Sequence, residues 1–193
     1  MRYEKGHREL SRARILDVAS KRFRKEGVAA VGLATVMSDA GLTNGAFYNH
    51  FESKDALVRD VLAATMDKRR DNTLESILCV GMEAAIRSYL SEAHRDHPEA
   101  GCPSSALLPE IGRHPMETRE LYTARIKEFV ELIASKFKNP DEVTRNHQAT
   151  ALFGLLVGTV QLARAVSDEA MSNSILEGGL KTALSLLAEA TNA

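Results

Sequence analysis

The sequence predicts an all-α chain, with a small N-terminal helix-turn-helix domain over 1–54 and a larger helical domain over 55–193. Three observations predict this. Apolar residues recur at i, i+3, i+4 and i+7 along almost the whole chain, the spacing of one helical face. Pro occurs only 5 times and Gly 12 times in 193 residues, too rarely for a loop-rich β protein. A composition 44% hydrophobic and 26% charged supplies enough apolar side chains for a core, which excludes a disordered chain. No stretch alternates with the period of a strand, and no segment is repeated or of low complexity.

Each element follows from its own stripe and stop signal. Ile15, Leu16, Ala19 and Phe23 share one face, and Gly27 ends that helix,. Leu33, Val36, Met37 and Ala40 mark a short second helix, closed by Gly41 in the left-handed conformation that glycine adopts freely,. Thr43 suits the N-cap of a third short helix reaching about Phe51,. Ser53 caps the next, whose inner face is Leu57, Val58, Val61, Leu62 and Met66,. The domain boundary is expected within or just after this helix. Beyond about residue 72 the helices lengthen. Leu74, Ile77, Leu78, Met82, Ala85, Ile86, Tyr89 and Leu90 mark one, stopped by His97-Pro98, and Gly101-Cys102-Pro103 forms a turn,. A shorter helix lies near 105–111. Tyr122, Ile126, Phe129, Val130, Ile133 and Phe137 mark another, ended by Asn139-Pro140, and two final helices cover about 141–167 and 171–191.

Charge narrows the class of partner. The net charge is −1, yet residues 1–54 hold ten Lys/Arg against six acids, leaving the remainder acidic. A basic end on an acidic chain is the footprint of phosphate binding by one small domain, or of a solvated charged helix face. The basic segment from Arg2 to Arg8 is read as a tail, with entry into a minor groove as the alternative. Cys79 and Cys102 have no zinc or redox spacing, no His/Asp/Glu cluster has metal-ligand spacing, and neither metal nor cofactor is expected,. The start of the chain lacks the apolar run of a signal peptide. The least polar segment, 149–160, falls short of the roughly 20 apolar residues that cross a bilayer. The expected compartment is the cytoplasm, without membrane association.

The two short helices joined at Ala40-Gly41-Leu42-Thr43 carry the most information. The second is too short to stand alone and requires packing across its neighbour, as in a helix-turn-helix. Phe47 and Phe51, four apart, anchor it to Leu33, Val36 and Met37, which leaves Thr43, Asn44, Gly45, Ala46, Tyr48, Asn49 and His50 outside. That face is small and polar at its start, where base edges must be approached closely. Asn pairs with adenine and an alanine methyl meets the thymine methyl. Tyr48, His50 and Lys54 suit phosphate oxygens. The Asn44-Gly45 pair also reads as a hairpin turn, but no strands flank it. His50 beside Phe51 also reads as a packed structural histidine.

The run from Gly41 to Leu57 (Gly-Leu-Thr-Asn-Gly-Ala-Phe-Tyr-Asn-His-Phe-Glu-Ser-Lys-Asp-Ala-Leu), preceded by Arg14-Ile15-Leu16 and by Phe23 and Gly27, resembles the TetR family of transcriptional regulators. The resemblance covers about residues 10–62, and over 72–193 it rests on helix number and length. It implies a ligand-responsive repressor that binds a palindromic operator in double-stranded DNA as a homodimer. Thr43, Asn44, Gly45, Ala46 and Asn49 would then face the major groove, with Tyr48, His50, Lys54 and Thr35 on phosphates. One departure is Val31-Gly32, where the family has Ser or Thr. Backbone N–H groups there still suit a phosphate, but no side-chain contact is expected.

The larger domain is assigned dimerisation and effector binding. The segment 149–166 is apolar on nearly all sides, and a helix of that kind must be buried all round. Leu152, Leu156 and Gly158, with Leu180, Leu184 and Leu187 of the last helix, are expected in a four-helix dimer interface, as the resemblance also implies; the alternative is that they form the protomer's core. Met82, Ile86, Tyr89, Tyr122, Ile126, Phe129 and Phe153 are the candidate walls of a small-molecule effector pocket, or core. Cys102, in a turn near His97, Arg113 and His114, is a candidate sensor thiol or an apolar filler, while Cys79, on an apolar stripe, is expected to be inert. Effector binding would shift helices near 53–70 and change the spacing of the two DNA-reading helices. No catalytic residues are assigned. The rivals are a thiol enzyme using Cys102 with His97 or His114, which lacks an oriented third group, and a non-specific DNA-binding protein.

Overall fold

The computed structural model describes residues 2–192, with side chains over 6–191. Its described residues form eight α-helices and one 3₁₀ helix, with no strand: α1 (Arg2–Glu26), α2 (Leu33–Asp39), the 3₁₀ helix (Asn44–Asn49), α3 (Lys54–Tyr89), α4 (Glu92–Asp96), α5 (Pro103–Ile111), α6 (Met116–Ala134), α7 (Glu142–Ala165) and α8 (Glu169–Asn192). No helix among the described residues is long and apolar enough to cross a membrane.

Two compact units emerge from the packing, residues 1–67 with 98–123, and residues 68–97 with 124–193. The grouping is not sequential, because α3 and α6 each begin in the first unit and end in the second. In the first unit Ile15, Ala19 and Phe23 of α1 lie fully buried with Val36, Met37, Phe47 and Leu57. Leu107 and Ile111 of α5 join the same core. Burial of each such side chain contributes roughly 1.5–3 kcal/mol. The core of the second unit is built from Ile86, Phe129, Ile133, Ala149, Leu152, Val160, Leu176 and Ala183.

Three local features differ from the sequence reading. The helix α1 starts at Arg2, so the backbone expected as a tail is helical; side chains 2–5 lie outside the described residues. No break occurs near residue 72, because the polar run there is helical and the helix bends only at Gly81 (φ 86°, ψ 165°), backbone that favours glycine. The short α4 was not foreseen; Ser91 caps it by accepting the His94 N–H at 3.2 Å.

Candidate nucleic-acid interface and ligand cavity

The turn between α2 and the 3₁₀ helix forms as its residues dictate. Gly41 takes φ +71°, and Leu42 N–H bonds to Met37 O at 2.9 Å, the six-to-one closure of a glycine-terminated helix. Thr43 precedes the next helix in extended conformation, but its hydroxyl makes no cap bond. The Ala46 N–H instead reaches Thr43 O at 3.0 Å, which closes the segment as a 3₁₀ rather than an α-helix.

Phe47 and Phe51 hold this helix down. They are 0% and 4% exposed, their rings stack at 5.6 Å, and the Arg12 guanidinium lies 4.9 Å from the Phe51 centroid. Arg12 is itself tied to Asp60 at 2.6 Å, so α1, the 3₁₀ helix and α3 meet at one ring. With that face anchored, Thr43, Asn44, Gly45, Tyr48 and Asn49 are exposed or half-buried at the surface, as are Ala46 and His50. Tyr48 is 71% exposed, its ring edge-on to Phe47 at 5.2 Å. Thr35 is exposed on α2. Gly32 caps α2 without a side-chain hydrogen bond. Arg8 donates to Asn49 O at 2.6 Å, bringing α1 alongside the outer face.

Two residues expected on phosphates are also shaped by their surroundings. The Lys54 ammonium donates to Val28 O and Val31 O, both at 2.7 Å, clamping the loop between α1 and α2 and leaving one of its three protons. The His50 imidazole is pushed below its usual pKa by burial first, then by Arg8 and Arg12, and its buried Nδ1 has no hydrogen-bond partner.

Within the second unit a cavity of about 210 Å³ is lined by Met82, Ile86, Tyr89, Phe129 and Phe153, five of the residues expected in the pocket. Three others do not join them. Ile126 is half-buried and outside the lining. Tyr122 belongs to the first unit, where it donates to Ser104 Oγ at 3.0 Å, and burial pushes its hydroxyl up to about 12. Cys102 caps α5 in the first unit and is 2% exposed. A loop position does not mean solvent here, because Pro103 starts a helix that packs Cys102 inward. Cys79, read on an apolar stripe, is exposed. The sequence reading missed Arg69, Asn72, Thr73 and Ser76, which line the cavity. Their signal was present as a polar stripe at i, i+3, i+4 and i+7 of α3, masked because a polar stripe reads as a solvated face.

The residues assigned to the dimer interface also divide. Leu152 and Leu156 are 1% and 6% exposed within the single chain and line the cavity, which fits the alternative reading of them as core. The helix α7 is apolar on its exposed face as well as on its buried one. Its outer face carries exposed Ala151, Gly154, Gly158 and Leu162, with Leu155 half-buried. On α8, Leu180, Leu184 and Leu187 are half-buried. Among the described residues no group of three or more His, Cys, Asp or Glu could hold a metal ion.

The family model described as bacterial regulatory proteins, tetR family, matches residues 15–61. The chain is 27% identical over 166 residues to the HTH-type transcriptional regulator TtgR of Pseudomonas putida, covering 86% of this chain and 70% of that protein. It is 28% identical over 97 residues to the HTH-type transcriptional repressor KstR2 of Rhodococcus jostii, covering 42% and 47%. Among solved structures, a TetR-family regulator from Cytophaga hutchinsonii superposes with TM-score 0.75 at 17% identity over 96% of both chains. The reduced form of E. coli NemR superposes with TM-score 0.71 at 19% identity, covering 91% of this chain and 96% of that one. At these identities the structural likeness speaks to the fold.

Proposed function

We propose that this chain is a transcriptional regulator of the TetR family, a cytoplasmic repressor that binds a palindromic operator as a homodimer and is released by a small molecule in the 210 Å³ cavity. The observation that carries the DNA-binding part is the outward face of the 3₁₀ helix, held by Phe47 and Phe51 with Asn44 and Tyr48 exposed. Thr43, Asn44, Gly45, Ala46 and Asn49 face base edges, where Asn pairs with adenine and small residues permit close approach. Tyr48, His50, Thr35 and the remaining proton of Lys54 hold phosphates and fix register. The 1–54 domain reads DNA, and the rest of the chain serves the effector and the dimer.

Two-fold pairing is supported by the outer face of α7, where Gly154 and Gly158 lie four apart and exposed beside Leu162. Small residues there permit close helix approach, and two copies would present two reading helices to two half-sites. The effector is bound and released unchanged, so the chain is a binding protein rather than an enzyme. Burial of Cys102 favours its reading as filler over that of a solvent-facing sensor thiol,.

Selection of duplexes from random DNA, followed by binding measurements at several salt concentrations, tests the assignment. Tyr48→Ala is expected to weaken binding to selected and random duplexes alike. Asn44→Ala is expected to relax sequence choice by about 1–3 kcal/mol at one position of each half-site. Equal effects of both variants on both kinds of DNA would overturn the division of roles. Recovery of no palindrome would overturn the operator reading.

A further inference from the structure

The walls of the cavity differ in kind. Phe129 and Phe153, tilted at 5.0 Å, form with Leu152 and Leu156 an apolar wall. The other wall includes the stripe Arg69, Asn72, Thr73 and Ser76 on α3. Arg69 is the one charged residue among the described residues that line the cavity. Its neighbour Arg70 is paired with Glu128 at 2.6 Å. Arg69 instead lies 5.3 Å from the Tyr89 ring centroid, and its buried Nε has no hydrogen-bond partner. A buried guanidinium nitrogen without an acceptor is costly, and a bound anion removes that cost.

The opposite charge is disfavoured. A cationic ligand would meet Arg69 at the ring of Tyr89, the surface that would otherwise attract it. The size is bounded as well, since an engineered cavity of roughly 150 Å³ holds benzene and this one is about 210 Å³. A guanidinium matches a carboxylate through two parallel N–H donors, and the hydroxyls of Thr73 and Ser76 can serve the same head group.

We propose that this cavity binds a small monoanionic amphiphile, a carboxylate on a single aromatic ring, with the ring against Phe129 and Phe153 and the carboxylate on Arg69. The proposal rests on the reading of this cavity as the effector site and names the chemical class of the effector.

Calorimetric titration of the full chain without DNA, using 4-ethylbenzoate, 4-ethylbenzamide and 4-ethylbenzylammonium, tests it. The benzoate is expected to bind about tenfold or more tighter than the amide, the worth of one charged hydrogen bond, and the ammonium to bind weakest. Arg69→Gln is expected to bring the benzoate to the level of the amide, and Arg69→Lys to keep part of the preference. Phe153→Ala is expected to weaken both ligands. Equal binding of benzoate and amide, tighter binding of the ammonium, no binding of any probe, or an unchanged preference in Arg69→Gln would overturn the proposal. Release of the selected duplex is measured in parallel. Arg69-dependent benzoate binding that leaves the DNA complex intact upholds the ligand class and overturns the effector reading. Release by the amide or the ammonium, with no benzoate preference, does the reverse.

Discussion

Lys54 and His94 show how much one side chain decides by what it touches. The Lys54 ammonium joins two carbonyls of the loop before α2, so it acts on the shape of the helix-turn-helix domain. Lys54→Met is expected to cost about 2 kcal/mol of stability, the scale of hydrogen bonds from a charged donor, read as a lowered midpoint in urea. His94 is pushed down to about 4 from 6.5, by burial first and then by Arg69 and Arg164, against the opposing hydrogen bond to Tyr89 O. Since a carbonyl only accepts, Nδ1 carries the proton in the 2.6 Å contact with Tyr89 O. The folded state therefore binds fewer protons at this site than the unfolded state, and stability falls as pH drops from 6.5 towards 4. The full loss is about 3 kcal/mol. Thermal melts of His94→Gln across that window are expected to lose this slope; a slope equal to that of the parent would refute the assignment.

The 3₁₀ helix and α7 carry the consequences at the scale of elements. A six-residue helix with no side-chain cap has little stability of its own, and the fully buried Phe47 supplies it by packing. Phe47→Ala is expected to destabilise the chain by about 3–5 kcal/mol and to abolish binding to selected and random duplexes together, unlike Asn44→Ala. In α7 the inner face is occupied by the chain's own core, so substitutions there unfold the chain, whereas on the proposed dimer reading substitutions on the exposed outer face act between copies. Gly158→Arg is expected to leave the melting temperature of the chain nearly unchanged while halving the molecular mass in sedimentation. A dimer that persists in this variant would direct attention to another surface.

Across the whole molecule, the all-α class, most helix ends and the helix-turn-helix were legible in the sequence, because each is a local property. Periodicity of 3.6, Gly41, the Ser53 cap that accepts Ala56 N–H at 3.1 Å and the Phe47/Phe51 spacing all act within a few residues of themselves. The faces that the sequence left open depend on long-range packing. Whether the apolar Leu152 faces a second copy or its own core, whether Cys102 or Cys79 meets solvent, and whether the polar stripe from Arg69 to Ser76 faces water or a cavity depend on which distant helix lies opposite. A stripe records only that a face is apolar or polar. The sequence by itself determined the helices and the clamp that turns Asn44 and Tyr48 outward, since hydrogen bonding and side-chain spacing along one helix suffice for that. Tertiary structure alone decided which faces meet and what space they enclose, because burial is a property of two surfaces and the chain specifies each of them separately.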